Sequence, residues 1–131
     1  MKSFWIVFLV SVFFIAPPLF AFAPTSTGKE LLEYCKIAMD VSDKQYWKPQ
    51  TEPEYILGAK TGICEGYLMS ATERRLQSRV QLFCLPPDYN LLVGASAVVQ
   101  YLKAHPEQEN LSASFLVTRS LETYFPCIRR G

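Results

Sequence analysis

The chain of 131 residues has a single histidine, His105. That excludes every site built from two or more histidines, the H-E-x-x-H zinc motif among them. None of the four cysteines forms a C-x-x-C pair, so the spacing of zinc ribbons and thioredoxin-like redox sites is missing too. There is no G-x-S-x-G and no glycine-rich phosphate loop, which removes the sequence marks of an α/β-hydrolase and of a P-loop nucleotide site. Excess charge is also lacking: 13 Lys and Arg face 12 Asp and Glu, for a net +1. A nearly neutral chain has no basic footprint for nucleic acid. No apolar run reaches the roughly 20 residues that cross a bilayer comfortably. The length suits one domain rather than two.

Apolar residues are plentiful but unevenly placed. The first 23 positions hold 18 of the 65 apolar residues, six of the nine phenylalanines and no acid. Lys2, an apolar run over residues 4–16, Pro17-Pro18 and the small-x-small series Ala21-Phe22-Ala23 read as a secretory signal peptide. The alternative is an uncleaved membrane anchor. Pro24 follows Ala23, and proline directly after the scissile bond is a poor substrate; cleavage after Ala21 avoids it. The expected division is therefore a signal peptide at 1–23 and a helical domain at 24–131, exported to the periplasm. That domain balances twelve basic against twelve acidic residues. Being about 44% apolar, it has enough to bury that it need not be disordered.

Four helices follow from apolar spacing and punctuation. The first is expected over 28–39, with Thr27 as N-cap and Glu30 completing a capping box. Leu31, Leu32, Cys35, Ala38 and Met39 form its apolar face. The second is expected over 54–79, with Ile56, Ala59, Ile63, Tyr67 and Ala71 as a stripe. Gly58, Gly62 and Gly66 recur on an adjacent face, marking either close approach of another helix or a break near Gly62. Residues 73–79 read as a solvated, arginine-rich face, and 80–85 as a short extended link that Pro86-Pro87 ends. Asn90 caps a third helix over 91–104, buried through Leu92, Ala95, Val98, Val99 and Leu102. His105 closes it, where its partial charge suits the helix dipole. Ser112 caps a fourth helix over 113–125, with Phe115, Leu116 and Leu121 toward the core and Pro126 as stop.

An even cysteine count in a small exported domain reads as a disulfide framework. Helices joined by short loops pack antiparallel. That brings Cys84, just before the third helix, to Cys127, just after the fourth. The same logic pairs Cys35 with Cys64, in preference to the two other connectivities. The fold class is thus all-α: a small four-helix domain stapled by Cys35, Cys64, Cys84 and Cys127 behind a signal peptide.

The search for chemistry finds little. Paired carboxylates such as Glu30/Glu33 and Glu52/Glu54 fall on a capping turn and a solvated loop. A Cys-His catalytic pair needs a free thiolate, and evenly spread cysteines speak against one. No enzyme, metal or cofactor is expected, and by elimination the domain binds something. Two surfaces are candidates. One is the loop 41–53, where Tyr46 and Trp47 are either a lid on the core or exposed anchors of the kind that dominate interfaces. The other is the turn 107–110, with Glu107 and Asn110.

Several short motifs stand in order: Glu33-Tyr34-Cys35, Cys64-Glu65-Gly66-Tyr67, Cys84-Leu85-Pro86, Tyr101-Leu102-Lys103-Ala104-His105-Pro106-Glu107 and Phe125-Pro126-Cys127. Together they resemble the Rap/Tai family of type VI secretion immunity proteins over about residues 27–127. The resemblance implies an all-α periplasmic homodimer that inhibits a secreted peptidoglycan amidase by occupying its cleft. It places the four cysteines at the family's shared positions and implies no catalytic residue. Two departures stand out: a long segment between the first two helices, around 46–53, and Ile128 after Cys127 where a proline is common. A different class of function, a small periplasmic helical chaperone or stress protein without a toxin partner, would also suit such a domain.

Overall fold

The computed structural model describes residues 26–43 and 52–128. The expected signal peptide lies outside them, as do Tyr46 and Trp47. Among the described residues four α-helices follow one another: α1 (Gly28–Ser42), α2 (Glu54–Gln77), α3 (Leu91–Ala104) and α4 (Ala113–Tyr124), with a 3-10 turn, Pro106–Gln108, between α3 and α4. Among the described residues there is no strand, only an isolated bridge from Thr27 to Ser112.

The caps sit where the sequence puts them. The Glu30 carboxylate accepts from the Thr27 backbone N–H at 2.8 Å, the reciprocal half of a capping box. Asn90 Oδ1 accepts from Leu92 and Val93 N–H at 3.0 and 3.1 Å, and Ser112 Oγ accepts from Phe115 N–H at 3.4 Å. Because Asn90 satisfies two otherwise orphaned donors, Asn90→Ala is expected to cost about 1 kcal/mol in a urea melt. His105 closes α3, its N–H donating to Tyr101 O at 3.0 Å and its ring stacked on Tyr101 at 4.2 Å.

α1 packs on α2 and α3, and α3 on α4. The core joins Leu31, Cys35 and Ala38 of α1 to Cys64, Leu68 and Ala71 of α2, Val98, Val99 and Leu102 of α3, and Leu116, Val117 and Leu121 of α4. Cys35 is bonded to Cys64 and Cys84 to Cys127, the pairing expected from the order of the helices.

Several details differ from the sequence expectations. α1 continues to Ser42, and α2 and α4 stop at Gln77 and Tyr124. The buried stripe of α2 is Leu57, Cys64, Leu68 and Ala71, so Ala59 and Ile63 face outward. The disulfide sets this rotation, because Cys64 must face Cys35. Leu92 and Phe115 are exposed as well, while Val117 is buried in place of Phe115. The link 80–85 is irregular and turns Phe83 into the core.

The glycines of α2 mark neither a close approach nor a break. The helix runs unbroken through them, and a Cβ at Gly58, Gly62 or Gly66 would meet open space. Close approach occurs elsewhere. A Cβ on Gly28 would lie 2.5 Å from Leu116 Cδ1 and 3.0 Å from the Glu109 carbonyl, and one on Gly94 would strike the Tyr89 hydroxyl and lie 2.9 Å from Leu68 Cδ2.

Candidate functional site

Of the two expected contact surfaces, the turn 107–110 lies among the described residues and Tyr46 and Trp47 lie outside them. After α1 the described chain returns at Glu52, ahead of α2. That return is fastened by Lys60 of α2, whose ammonium donates to Glu52 at 2.8 Å and to Glu33 of α1 at 2.7 Å. The hydrogen bond to Glu33 and then that to Glu52 hold the Lys60 ammonium well above the usual lysine range. One cation therefore ties Glu52 and α1 to α2, and it stays charged through the physiological range.

The turn 106–111 is docked on the start of α1. Glu109 O accepts from Lys29 N–H and Leu111 O from Gly28 N–H, both at 2.9 Å, and Ala113 N–H donates to Ser26 O at 2.8 Å. The first two bonds satisfy orphan donors of a helix N-terminus. Tyr101 OH donates to Gln108 Oε1 at 3.0 Å and pins the turn from inside. Glu107 and Asn110 are exposed on this rigid frame. Tyr46 and Trp47 lie outside the described residues, so of the expected contact residues the structure places Glu107 and Asn110.

A third surface was not singled out in the sequence. The end of α2 and the link after it enclose a cleft of about 180 Å³, lined by Arg74, Arg75, Val80, Leu82, Phe83 and Thr118 among others. The Arg75 guanidinium lies over the Phe83 ring, 5.9 Å from its centroid. Arg75 Nε is buried without a hydrogen-bond partner. Arg74 Nη1 donates to Ser114 Oγ of α4 at 3.1 Å. The solvated face expected over 73–79 thus has a half-buried arginine inside it. The signal was an isolated phenylalanine six residues beyond α2, but its fold-back onto Arg75 is a tertiary event.

A second depression, of about 300 Å³, lies beside Met69, Thr72, Glu73, Tyr89, Asn90 and Leu91. Burial pushes the Tyr89 phenol up, so it stays neutral and acts as a packing group over Gly94. All four cysteines are engaged in disulfides. Among the described residues no group of three or more His, Cys, Asp or Glu side chains could hold a metal, and no helix is long and apolar enough to cross a membrane.

A family model of Rap1a immunity proteins matches residues 27–127, a span that takes in all four helices and all four cysteines. No curated protein and no solved structure matches the chain. An immunity family implies a cognate toxin as partner and inhibition as the role. With the match running the length of the helical domain, this chain belongs to the Rap1a immunity proteins.

Proposed function

We propose that this protein is a periplasmic immunity protein whose target is a type VI secreted peptidoglycan amidase, inhibited by steric occlusion of its cleft. The observation that carries the proposal is the family match from 27 to 127. The two disulfides support the compartment, since such bonds persist where the surroundings are oxidising. In this reading residues 1–23 are the export signal, residues 24–131 form the working domain, and two copies associate. Occlusion needs no reactive group. It needs a rigid surface of roughly 800 Å² per partner whose shape persists on binding, and two disulfides with a docked turn provide rigidity. Tyr46 and Trp47, or Glu107 and Asn110, are the candidates that the sequence alone offers for that surface.

The test uses the product of the neighbouring open reading frame, which this reading expects to be an amidase. The purified proteins are expected to form a complex with a Kd of about 1 nM or below, equivalent to about −12 kcal/mol, and peptidoglycan hydrolysis is expected to stop at one equivalent of inhibitor. Light scattering should give the mass of two chains for the free protein. Absence of both complex and inhibition rejects the proposal.

A further inference from the structure

We propose that the cleft between the last turns of α2 and the link 78–83 is the toxin-binding site, and that it receives a carboxylate side chain flanked by apolar residues of the partner. This rests on the immunity reading above and adds to it the place and the chemistry of the contact.

Three observations carry it. First, Arg75 is set for an anion that the chain itself does not provide. Its guanidinium is backed by Phe83, itself only 2% exposed; its Nε is closed off from solvent and unpartnered, so the terminal Nη groups are those a partner would meet. No described carboxylate lies within ion-pair distance of Arg74, Arg75 or Arg79; the described ion pairs are those of Lys60 and Arg119. A guanidinium held against an aromatic ring presents its donors as a fork, the geometry that grips a carboxylate through two bonds. Second, the cleft rim is apolar and open to solvent. Val80 and Leu82, both lining the cleft, are 65% and 52% exposed, although a short link could have carried polar residues there. Third, the surface is firm. Arg74 is bonded to Ser114 of α4, and Cys84, at the end of the link, is bonded to Cys127 and donates its N–H to Phe125 O at 2.8 Å.

The combination favours a protein segment over other anions. A nucleic acid would draw on a long-range positive field, which a balanced domain lacks. A free phosphate would gain nothing from the two exposed apolar side chains, Val80 and Leu82. A cleft of about 180 Å³ accommodates one acidic side chain, and arginine is among the residues enriched at binding hot spots, where surrounding contacts exclude water.

The experiment measures affinity for, and inhibition of, the amidase expected from the neighbouring open reading frame, with the full mature protein. Arg75→Gln is expected to raise Kd by about thirty-fold or more, as loss of one member of a desolvated charge pair does. Leu82→Ser, which alters an exposed side chain, is expected to raise it by about ten-fold with the unfolding midpoint unchanged. The Leu82 variant keeps the test valid if Arg75→Gln disturbs the packing of Phe83. If the wild type inhibits the amidase and both variants match it, the cleft is not the site and the immunity reading stands. The cleft is excluded in the same way if only Trp47→Ala, or Glu107→Ala with Asn110→Ala, weakens binding. If the wild type neither binds nor inhibits, both readings fall.

Discussion

Removing Cys35 and Cys64 together, as the double alanine variant, is expected to destabilise the domain more than removing Cys84 and Cys127. Loop entropy alone ranks them the other way. The bridges close separations of 29 and 43 residues, to which chain entropy assigns about 3.6 and about 4.0 kcal/mol. Burial reverses the order. Cys35 and Cys64 are both fully buried in the middle of the core, whereas Cys84 and Cys127 are partly exposed. Each sulfur deleted from the interior leaves a void costing about 1 kcal/mol, and two such voids outweigh a difference of about 0.4 kcal/mol in loop entropy. Urea unfolding of the two double variants decides it, and a larger loss for the Cys84/Cys127 variant would show that chain entropy dominates. Full reduction removes roughly 7–8 kcal/mol by the same reckoning, comparable with a typical total stability of about 5–15 kcal/mol. The reduced protein is therefore expected to be largely unfolded at about 37 °C.

Leu116→Ala is expected to cost about 2–5 kcal/mol, since Leu116 is fully buried where α1 and α4 meet. Gly28→Ala, which adds only a methyl group, is expected to cost about 1–3 kcal/mol through overpacking. The added Cβ would sit 2.5 Å from Leu116 Cδ1 and 3.0 Å from Glu109 O. Alanine is intrinsically the better helix former, by about 1 kcal/mol in a helix interior, but Gly28 is the first residue of α1 and gains little of that. The two substitutions share one space, so their effects are expected not to add. In the double variant the alanine methyl enters volume that Leu116 vacates, and the combined loss should fall short of the sum by about 1 kcal/mol. Rescue stays incomplete because the Glu109 backbone cannot retreat while it accepts from Lys29 N–H. Strict additivity in a double-mutant cycle would mean that α1 and α4 do not meet at this point.

The caps show how much of the fold was legible. Thr27 with Glu30, Asn90 and Ser112 are local signals, and each begins a helix as expected. The disulfides were legible because helix order constrains which cysteines can meet. The buried face of α2 was not. Both Ile56–Ala59–Ile63–Tyr67 and Leu57–Cys64–Leu68–Ala71 have helical spacing, so periodicity cannot choose between them. Cys64 does choose, since a cysteine bonded across the core must point into it. Phe115 failed for a related reason: it neighbours Leu116 and Val117, and only two of the three face inward. The candidate site was the least legible part. Arg75 becomes distinctive only when Phe83, eight positions on, folds back beneath it, and nothing in local pattern announces that contact.

The connectivity of the cysteines has a kinetic consequence. The first cysteine is joined to the second and the third to the fourth. A chain threaded N-terminus first into an oxidising space would present each odd cysteine, and then its native partner, before any competitor emerges. An oxidase that joins thiols in order of arrival would install both bonds correctly, and no disulfide isomerase would be required. Maturation would then depend on the supply of oxidant alone, a simple requirement for a protein that must be ready before an attack comes.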